Sequence, residues 1–335
     1  MLKPFTARQT LLLVDDEPAN LRVLRQILTD NYHLIFAKSG AEALRLAETE
    51  KPDLILLDVM MPGLTGFEVC ERLKASDATQ KIPIIFVTAL KEEVDETKGF
   101  DLGAVDYITK PLSKAIVRAR VRTHLSLVQA EELKRTRLEI ILRLGRAAEY
   151  KDNETGMHVM RVSHYAKAMA LAYGFSDYHA DLLFQVTPMH DIGKIGIPDD
   201  VLLKPGKLTE EEFDLMRTHA EIGAKILGDN DSELLSMARV VALTHHEKFD
   251  GSGYPKGLSG EDIPIEGRIV ALADVFDALT TKRPYKSAWP VEKALDFIID
   301  QKGRHFDPQL VELFIQEINT ILAIREKWQD HTQEN

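Results

Sequence analysis

The chain has 335 residues, of which 44% are hydrophobic and 28% charged, and a formal net charge of −11. This length predicts two domains, each able to bury its own core. The acidic balance argues against DNA or RNA as the main partner, because binding a phosphate backbone needs a basic face. With no apolar run of 18 residues, no apolar signal-peptide core and a single cysteine, Cys70, we expect a cytoplasmic protein without a membrane span or internal disulfide.

Residues 10–125 alternate between short apolar runs and segments of helical period. The apolar runs at 10–14, 54–57 and 84–87 predict buried strands. Helices are predicted from Pro18 and over residues 42–48, 67–74 and 94–102. Continuous apolar strands that alternate with helices are typical of an α/β doubly wound parallel sheet covered on both faces.

Residues 113–150 nearly lack proline and glycine, and their apolar residues recur mostly at spacings of three or four. This pattern predicts a long helix that leaves the first domain and connects it to the next. Two interpretations stay open at this point: the helix packs on its own domain, or it pairs with a second copy in a coiled-coil homodimer.

Residues 146–325 predict an all-α domain, with loops at 196–208 and 247–266. A capping box at Thr209 and Glu212 predicts a helix start, and Gly228 predicts its end. In this helix Leu215, Ile222 and Ile226 share a stripe with His219, and we expect the stripe to face a core.

Polar residues occupy the predicted strand ends of the first domain. Asp15 and Asp16 follow the first strand, Asp58 the second and Thr88 the third, and Lys110 precedes Pro111. Ligands collect at the carboxyl ends of parallel strands. Several carboxylates in one crevice predict a Mg²⁺ site, and an aspartate beside that ion, a lysine and a hydroxyl is equipped to accept a phosphoryl group.

Residues 9–125 resemble the receiver domain of two-component response regulators. The resemblance rests on Asp15-Asp16, the segment 57–63 (LDVMMPG), Thr88-Ala89, Tyr107 and Lys110-Pro111. It implies a flavodoxin-like fold, Asp58 as the phosphoacceptor, and a partner histidine kinase. It also implies that Asp15, Asp16, Asp58 and the Met60 carbonyl hold Mg²⁺, that Thr88 and Lys110 contact the phosphoryl group, and that Tyr107 is the aromatic switch.

Histidines and acids recur through the helical half, mostly in apolar segments, where unpaired polar groups are costly to bury. Any one of them alone has an ordinary explanation, such as a satisfied core histidine. Together they predict a metal centre, and imidazole with carboxylate but no thiolate suits Fe, Mn or Zn. The set is Glu154, His158, His190, Asp191, His219, His245, His246 and Asp274.

Residues 140–325 resemble the HD-GYP branch of the HD phosphohydrolase superfamily. The resemblance rests on segment 152–158 (DNETGMH), His190-Asp191 with Lys194, His219, segment 245–255 with Gly253-Tyr254-Pro255, Asp274, and segment 283–286 (RPYK). It implies hydrolysis of cyclic di-GMP to pGpG, and often on to GMP, with two or three divalent metals, Fe or Mn.

The same resemblance implies roles for individual residues. His158, His190, Asp191, His219, His245, His246 and Asp274 would bind metal, with Asp191 bridging, and Glu154 would hold a third ion. Lys194, Arg283 and Lys286 would neutralise substrate phosphates, Tyr254 would shape the pocket, and Asp152 would assist proton transfer.

The combined interpretation is a response regulator with a receiver domain (9–125), a helical linker (126–148) and a phosphohydrolase domain (149–325), regulated by phosphorylation of Asp58. Two alternatives remain at this stage. The second domain could act mainly as a docking module for other cyclic di-GMP signalling proteins, or it could hydrolyse another cyclic dinucleotide or a noncyclic phosphodiester.

Overall fold

The computed structural model describes residues 8–89, 97, 99–151, 156–229, 231–282 and 287–329. The chain divides into two compact units, Met1–Lys134 and Arg135–Asn335. None of the helices in the described ranges combines the length and the apolar composition needed to cross a membrane.

A five-stranded parallel sheet forms the centre of the first unit. Its order is β2-β1-β3-β4-β5, and every neighbouring pair is parallel. Val14 pairs with Leu57, and Asp58 pairs with Val87, so the ends of β1, β3 and β4 meet at one edge. The strands are β1 (Thr10–Val14), β2 (His33–Ala37), β3 (Leu54–Asp58), β4 (Ile84–Thr88) and β5 (Asp106–Thr109).

Helices cover both faces of this sheet, as the sequence predicted. Leu11 and Leu13 point to one face and pack with α1 and the start of α4, whereas Leu12 and Val14 pack with α2 and α3 on the other face. The alternation follows from the period of two along a strand. The helices are α1 (Pro18–Leu28), α2 (Gly40–Glu50), α3 (Gly66–Ala75) and α4 (Lys114–Tyr150).

The three strands predicted from apolar runs are confirmed. β3 and β4 each extend one residue further than predicted, so Asp58 and Thr88 are the last residues of their strands. The sequence interpretation missed β2 and β5, which are the two edge strands of the sheet. Edge strands are partly exposed and admit polar residues, and β5 accordingly has only two apolar residues between Asp106 and Thr109. β2 contains the apolar run 34–37, which the sequence interpretation overlooked. Of the helix predicted over 94–102, residues 97 and 99–101 are helical, and residues 94–96 and 98 lie outside the described residues.

The second unit is helical, and its described residues contain no named strand. Short 3₁₀ turns lie at Thr187–Met189, Ile192–Gly196 and Gly260–Asp262. The α-helices are α5 (Gly156–Tyr173), α6 (Asp177–Val186), α7 (Asp199–Leu202), α8 (Glu210–Arg217), α9 (His219–Leu227), α10 (Glu233–Thr244), α11 (Ile265–Thr280), α12 (Val291–Asp300), α13 (Pro308–Gln316) and α14 (Ile318–Lys327).

The core of this unit centres on helices α5, α11 and α13. Tyr165, Phe276 and Phe314 are fully buried there. The Phe276 ring makes edge contacts to both, with centroid distances of 5.7 Å to Tyr165 and 5.0 Å to Phe314. The polar residues of α5 and α11 that point away from this core are therefore held by rigid, well-packed elements.

The predicted helix from Thr209 to Gly228 is two helices. The capping box at Thr209 and Glu212 is confirmed, but α8 ends at Arg217, and Gly228 caps α9 instead. The predicted buried stripe is wrong at Leu215 and Ile226, which are 40% and 52% exposed. The helix is interrupted at Thr218, so residues at helical spacing on its two sides do not share one buried face.

Candidate functional site

The carboxyl edge of the sheet brings together the acids that the sequence placed there. Carboxylate oxygens of Asp15, Asp16 and Asp58 lie within 4.8 Å of one another. The Lys110 Nζ atom lies 3.0 Å from Asp15 Oδ2 and 3.1 Å from Asp58 Oδ2. This oxygen-only set fits Mg²⁺, and the lysine adds a positive charge beside the proposed acceptor.

Asp58 is almost fully buried, and burial raises the pKa of its carboxyl although Lys110 and the Met60 amide favour the charged form. The Met60 backbone N–H donates to Asp58 Oδ1 at 3.4 Å. Asp15 is fixed separately, because its Oδ1 accepts from the Glu17 backbone and the Asn20 side chain. A bound cation would offset the cost of holding these charges together.

Thr88 and Tyr107 lie on neighbouring strands. Thr88 is buried at the end of β4. The half-buried Tyr107 ring lies 6.0 Å from the Phe100 ring, and the Arg120 guanidinium lies 5.4 Å from the Tyr107 centroid. Arg120 belongs to α4, so the predicted aromatic switch contacts the helix that continues into the second unit.

Four of the predicted metal ligands converge in the second unit. Ligand atoms of Asp191, His219, His245 and His246 all lie within 4.8 Å of one another. Asp191 Oδ1 lies 3.2 Å from His219 Nε2 and 3.4 Å from His245 Nε2. Two atoms that bind one cation at about 2.1 Å and at right angles are about 3 Å apart. The spacing therefore fits a shared metal ion.

The histidines are oriented through their other ring nitrogen. His190 Nδ1 lies 2.9 Å from the Thr187 carbonyl oxygen, and His219 Nδ1 lies 2.7 Å from that of Met216. His245 Nδ1 makes the same kind of contact one turn back in α10. A carbonyl only accepts, so each Nδ1 carries a proton, and Nε2 is the atom that each ring directs to the site.

These inward atoms lack hydrogen bonds. Within the described residues, no hydrogen-bond partner of suitable geometry serves Asp191 Oδ1 or the Nε2 atoms of His190, His219 and His245. All four side chains are buried, and orphaned buried polar atoms are costly. A divalent cation at this point satisfies all of them together, so the residues fit the metal that the sequence predicted.

A second group of possible metal ligands lies beside the group around Asp191. Ligand atoms of Glu149, His158 and His190 are within 4.8 Å of one another. His158 Nε2 is 3.7 Å from Glu149 Oε1 and 3.4 Å from Asp274 Oδ1. Because His190 adjoins Asp191 in sequence, the two sets are neighbours, which is the arrangement a pair of cations requires.

Glu149 is the residue that the sequence interpretation missed. It is 1% exposed, whereas the other acids of the same helix, Glu131, Glu132 and Glu139, are exposed. No local signal distinguishes Glu149, because it lies among other charged residues of the same helix.

Charges in the site set the protonation states. Burial opposes the charged form of His190, but Asp191 outweighs it and raises the pKa of His190 to about 9. Burial and the neighbouring imidazoles hold the pKa of His246 well below its usual range. Burial would raise the pKa of Asp191, yet Lys194 and His190 hold it well below its usual range. An ionised Asp191 and a neutral His246 are the forms that bind a cation.

Two of the predicted substrate-binding residues border the metal ligands. Lys194 Nζ lies 2.8 Å from Asp191 Oδ2. The Tyr254 ring packs on His246, with 4.7 Å between centroids, and burial raises the pKa of its phenol, so the hydroxyl stays protonated and can donate to a phosphate oxygen.

A buried carboxylate fixes the loop that carries Tyr254. The buried Glu247 carboxylate accepts from the backbone N–H groups of Lys256 and Leu258. A Cβ at Gly253 would lie 2.3 Å from the Lys248 backbone nitrogen, so this close approach requires glycine.

The predicted site residues Asp152, Glu154, Arg283 and Lys286 lie outside the described residues.

Both sites lie in regions of the chain that match known protein families. A family model described as "HD domain" matches residues 136–310, and one described as "Response regulator receiver domain" matches residues 11–122. This chain belongs to the response regulators that carry an HD domain. The HD match contains the described metal-ligand candidates, and the receiver match contains Asp15, Asp16, Asp58 and Lys110.

The chain of this HD-domain response regulator is similar to named relatives over nearly its whole length. It is 40% identical to a probable cyclic di-GMP phosphodiesterase of Vibrio cholerae, covering 96% of this chain and 80% of the relative. It is 38% identical to the cyclic di-GMP phosphodiesterase response regulator RpfG of Xanthomonas campestris, covering 91% and 87%. A 3′3′-cGAMP-specific phosphodiesterase of Vibrio cholerae is 47% identical over 194 residues, covering 58% of this chain and 37% of the relative.

Proposed function

We propose that this protein hydrolyses cyclic di-GMP to pGpG or on to GMP, and that phosphorylation of Asp58 by a histidine kinase regulates the reaction. The metal chemistry rests on one observation. Four buried side chains, Asp191 and three histidines, each direct one atom into the site, and none of these atoms has a hydrogen-bond partner of suitable geometry in the described part of the chain. We infer the substrate from the names of two relatives, both cyclic di-GMP phosphodiesterases, that are similar to this chain over both domains.

The proposed metal ligands form two groups around Asp191. His219, His245 and His246 would hold one ion, and His158, His190 and Asp274 the other, with the Asp191 carboxylate bridging. Imidazole and carboxylate ligands favour Fe or Mn. Bound cations supply the positive charge that polarises a phosphodiester and makes a water acidic enough to attack it near neutral pH.

The remaining residues would bind and orient the substrate. Lys194 brings an ammonium group next to the bridging carboxylate and would contact a nonbridging phosphate oxygen. Tyr254 would donate its hydroxyl hydrogen to a phosphate oxygen, with its ring supported by that of His246. Together these donors hold the substrate phosphate in place for in-line attack.

The receiver would act through its phosphoryl site. We propose that Mg²⁺ binds Asp15, Asp16, Asp58 and the Met60 carbonyl, and that Lys110 and Thr88 contact the phosphoryl group once Asp58 accepts it. The single, buried Cys70 suits a reducing cytoplasm, where we place the protein.

The degree of similarity to relatives does not separate two candidate substrates. The 3′3′-cGAMP-specific relative is 47% identical over 194 residues, and a cyclic di-GMP phosphodiesterase of Vibrio cholerae is 46% identical over 212 residues. Because cyclic di-GMP and 3′3′-cGAMP share the phosphodiester ring and differ in one base, the metal site alone does not choose between them. The assay must therefore include both dinucleotides.

The decisive experiment combines metal analysis of anaerobically purified protein with hydrolysis of each dinucleotide in the presence of Fe²⁺ or Mn²⁺. We expect at least two metal ions per chain and conversion of cyclic di-GMP, both lost in His190→Ala and Asp191→Asn. His179→Ala is the matched control, because His179 is an exposed histidine of the same unit, with half of its side chain accessible.

Three other outcomes would redirect the proposal. Faster turnover of 3′3′-cGAMP than of cyclic di-GMP would transfer the assignment to that substrate. Full metal occupancy without turnover of either dinucleotide would exclude both substrates. A protein that takes up no metal in the HD domain would leave the docking-module interpretation in its place.

A further inference from the structure

The structure assigns a further metal ligand: we infer that Glu149, at the end of helix α4, binds the second cation together with His158 and His190. This inference rests on the metal-dependent function proposed above. It goes beyond that function because it gives a ligand role to the helix that begins in the receiver unit. Glu149 lies outside the sequence motifs that indicated the site.

The position of the Glu149 carboxylate is that of a ligand. One of its oxygens lies within 4.8 Å of nitrogens of both His158 and His190, and the distance from Oε1 to His158 Nε2 is 3.7 Å. That separation is too long for a hydrogen bond. It is close to the distance between two atoms that bind the same ion from different sides.

The groups around Glu149 suit a bound cation. His158 Nδ1 faces the Asp277 carboxylate at 2.8 Å, so Nε2 is the ring nitrogen on the Glu149 side. Glu149 Oε1 and Asp274 Oδ1 lie 3.7 and 3.4 Å from that nitrogen. A cation bound by both carboxylates and the imidazole would interact favourably with all three.

The position of Glu149 in the helix also favours a bound cation. Glu149 is in the last turn of α4, which ends at Tyr150, and the C-terminal end of a helix carries a partial negative charge. The carboxylate is also buried, with 1% exposure. A cation bound here would be attracted by both the carboxylate and the helix end.

Glu149 belongs to a helix that also forms part of the receiver core. Val117, Val121 and Leu125 of the same helix pack on the receiver sheet. A single continuous helix, Lys114–Tyr150, therefore contributes core residues to the phosphoacceptor unit and one ligand to the metal centre.

The test is Mn²⁺ binding to the full-length protein, which requires no substrate. Glu149→Gln keeps the size of the side chain and removes its charge. We expect wild type to bind two ions in the HD domain, and Glu149→Gln to bind the second ion more than about tenfold more weakly, since loss of an indirect partner alone costs about 10–100-fold. The electron paramagnetic resonance signal of an exchange-coupled Mn²⁺ pair should disappear with it, and this signal does not depend on Mn²⁺ in the receiver.

Glu139→Gln is the matched control, because Glu139 lies on the same helix, is exposed and pairs with Arg143. It should bind two ions like wild type. Glu149→Asp keeps the charge and should restore part of the affinity, which separates ligand loss from misfolding even where Glu149→Gln unfolds. Unchanged Mn²⁺ affinity and an intact pair signal in folded Glu149→Gln would overturn the inference. Wild-type protein that binds the Mn²⁺ pair but hydrolyses no dinucleotide would refute the proposed function and leave this ligand assignment standing.

Discussion

The His158 imidazole donates its Nδ1 proton to the Asp277 carboxylate, with 2.8 Å between Nδ1 and Oδ2. The same carboxylate accepts from Arg161 through Nε at 2.7 Å and Nη2 at 2.9 Å. Burial would raise the pKa of Asp277, but His158 and Arg161 lower it to about 2. The ionised carboxylate therefore fixes the ring of His158 and leaves Nε2 for a cation.

We predict that Asp277→Asn weakens Mn²⁺ binding to the HD domain by about 10–100-fold, because the histidine loses its orienting anion. We also expect the free energy of unfolding to fall by about 3–5 kcal/mol, since the buried Arg161 guanidinium loses its counter-charge. Calorimetric titration with Mn²⁺ measures the first effect, and urea denaturation of the metal-free protein measures the second.

Asp296→Asn is the control for this substitution, because Asp296 is exposed on α12. It should change neither quantity. If Asp277→Asn lowers stability but leaves Mn²⁺ affinity unchanged, the residue supports the fold without orienting the ligand, and the role assigned to the His158–Asp277 hydrogen bond is wrong.

The pKa of Asp58 leads to a prediction about pH. Burial raises this pKa above the usual value of 3.8, so ionising Asp58 costs stability in the folded state. The cost is fully present above the raised pKa and vanishes as the pH falls towards 3.8. In the absence of Mg²⁺, Asp58→Asn should therefore melt at a higher temperature than wild type at pH 7, and the difference should shrink as the pH approaches 4.

Scanning calorimetry of both proteins between pH 4 and 7 checks this expectation. Asp77→Asn, at an exposed position of the same unit, should show no such pH-dependent difference. The same Asp58→Asn protein should also fail to take up phosphate from acetyl phosphate. A melting difference that grows towards low pH would contradict the sign derived from the raised pKa.

The sequence was sufficient to predict those strands and site residues that have a recognisable local pattern. Central strands consist of continuous apolar residues, and the His190-Asp191 and His245-His246 pairs are unusual enough in helical segments to indicate a metal site. The edge strand β5 gave no such signal, since polar residues stand at both of its ends. The other edge strand, β2, has an apolar run at 34–37 that was overlooked. The break at Thr218 was also invisible, because the apolar period continues across it.

Long-range partners could not be read from the sequence. Arg161 and Asp277 are separated by 116 positions, and each alone is an ordinary charged helix residue. Glu149 lies among other charged residues of α4, and only the tertiary fold places it beside His158 and His190. Pairings of this kind depend on how helices pack, which the local sequence pattern does not encode.

Helix α4 also carries a prediction about assembly. Leu133 and Ile140 are 71% and 53% exposed, and large apolar side chains in a row on a long helix favour pairing with a second helix. We propose a homodimer through this helix. Light scattering should give twice the chain mass of 37.8 kDa, and the double substitution Leu133→Glu and Ile140→Glu should reduce it to one chain.

Lys134→Glu controls for the added negative charge at a neighbouring exposed position, and it should remain dimeric. Wild-type protein that scatters as one chain at micromolar concentration would refute the dimer and favour a helix that packs on its own domain.

Helix α4 also suggests how the receiver regulates the HD domain, because it makes one relevant contact within each unit. Arg120 on this helix lies over the Tyr107 ring, and Glu149 lies among the ligands of the second cation. If phosphorylation moves Tyr107, the change reaches a helix that ends in a metal ligand. We expect beryllofluoride, a phosphoryl mimic at Asp58, to change the affinity of the HD domain for Mn²⁺ by about fivefold or more in wild type.

Arg120→Ala should reduce this response, and Glu149→Gln should abolish it because the ligand that transmits the change is gone. Arg122→Ala, an exposed arginine of the same helix, should respond like wild type. The measurement is a Mn²⁺ titration of each variant with and without beryllofluoride. An equal response in wild type and in Glu149→Gln would show that the signal reaches the metal centre by another route, and no response in wild type would show that the receiver controls substrate access or assembly instead of metal occupancy.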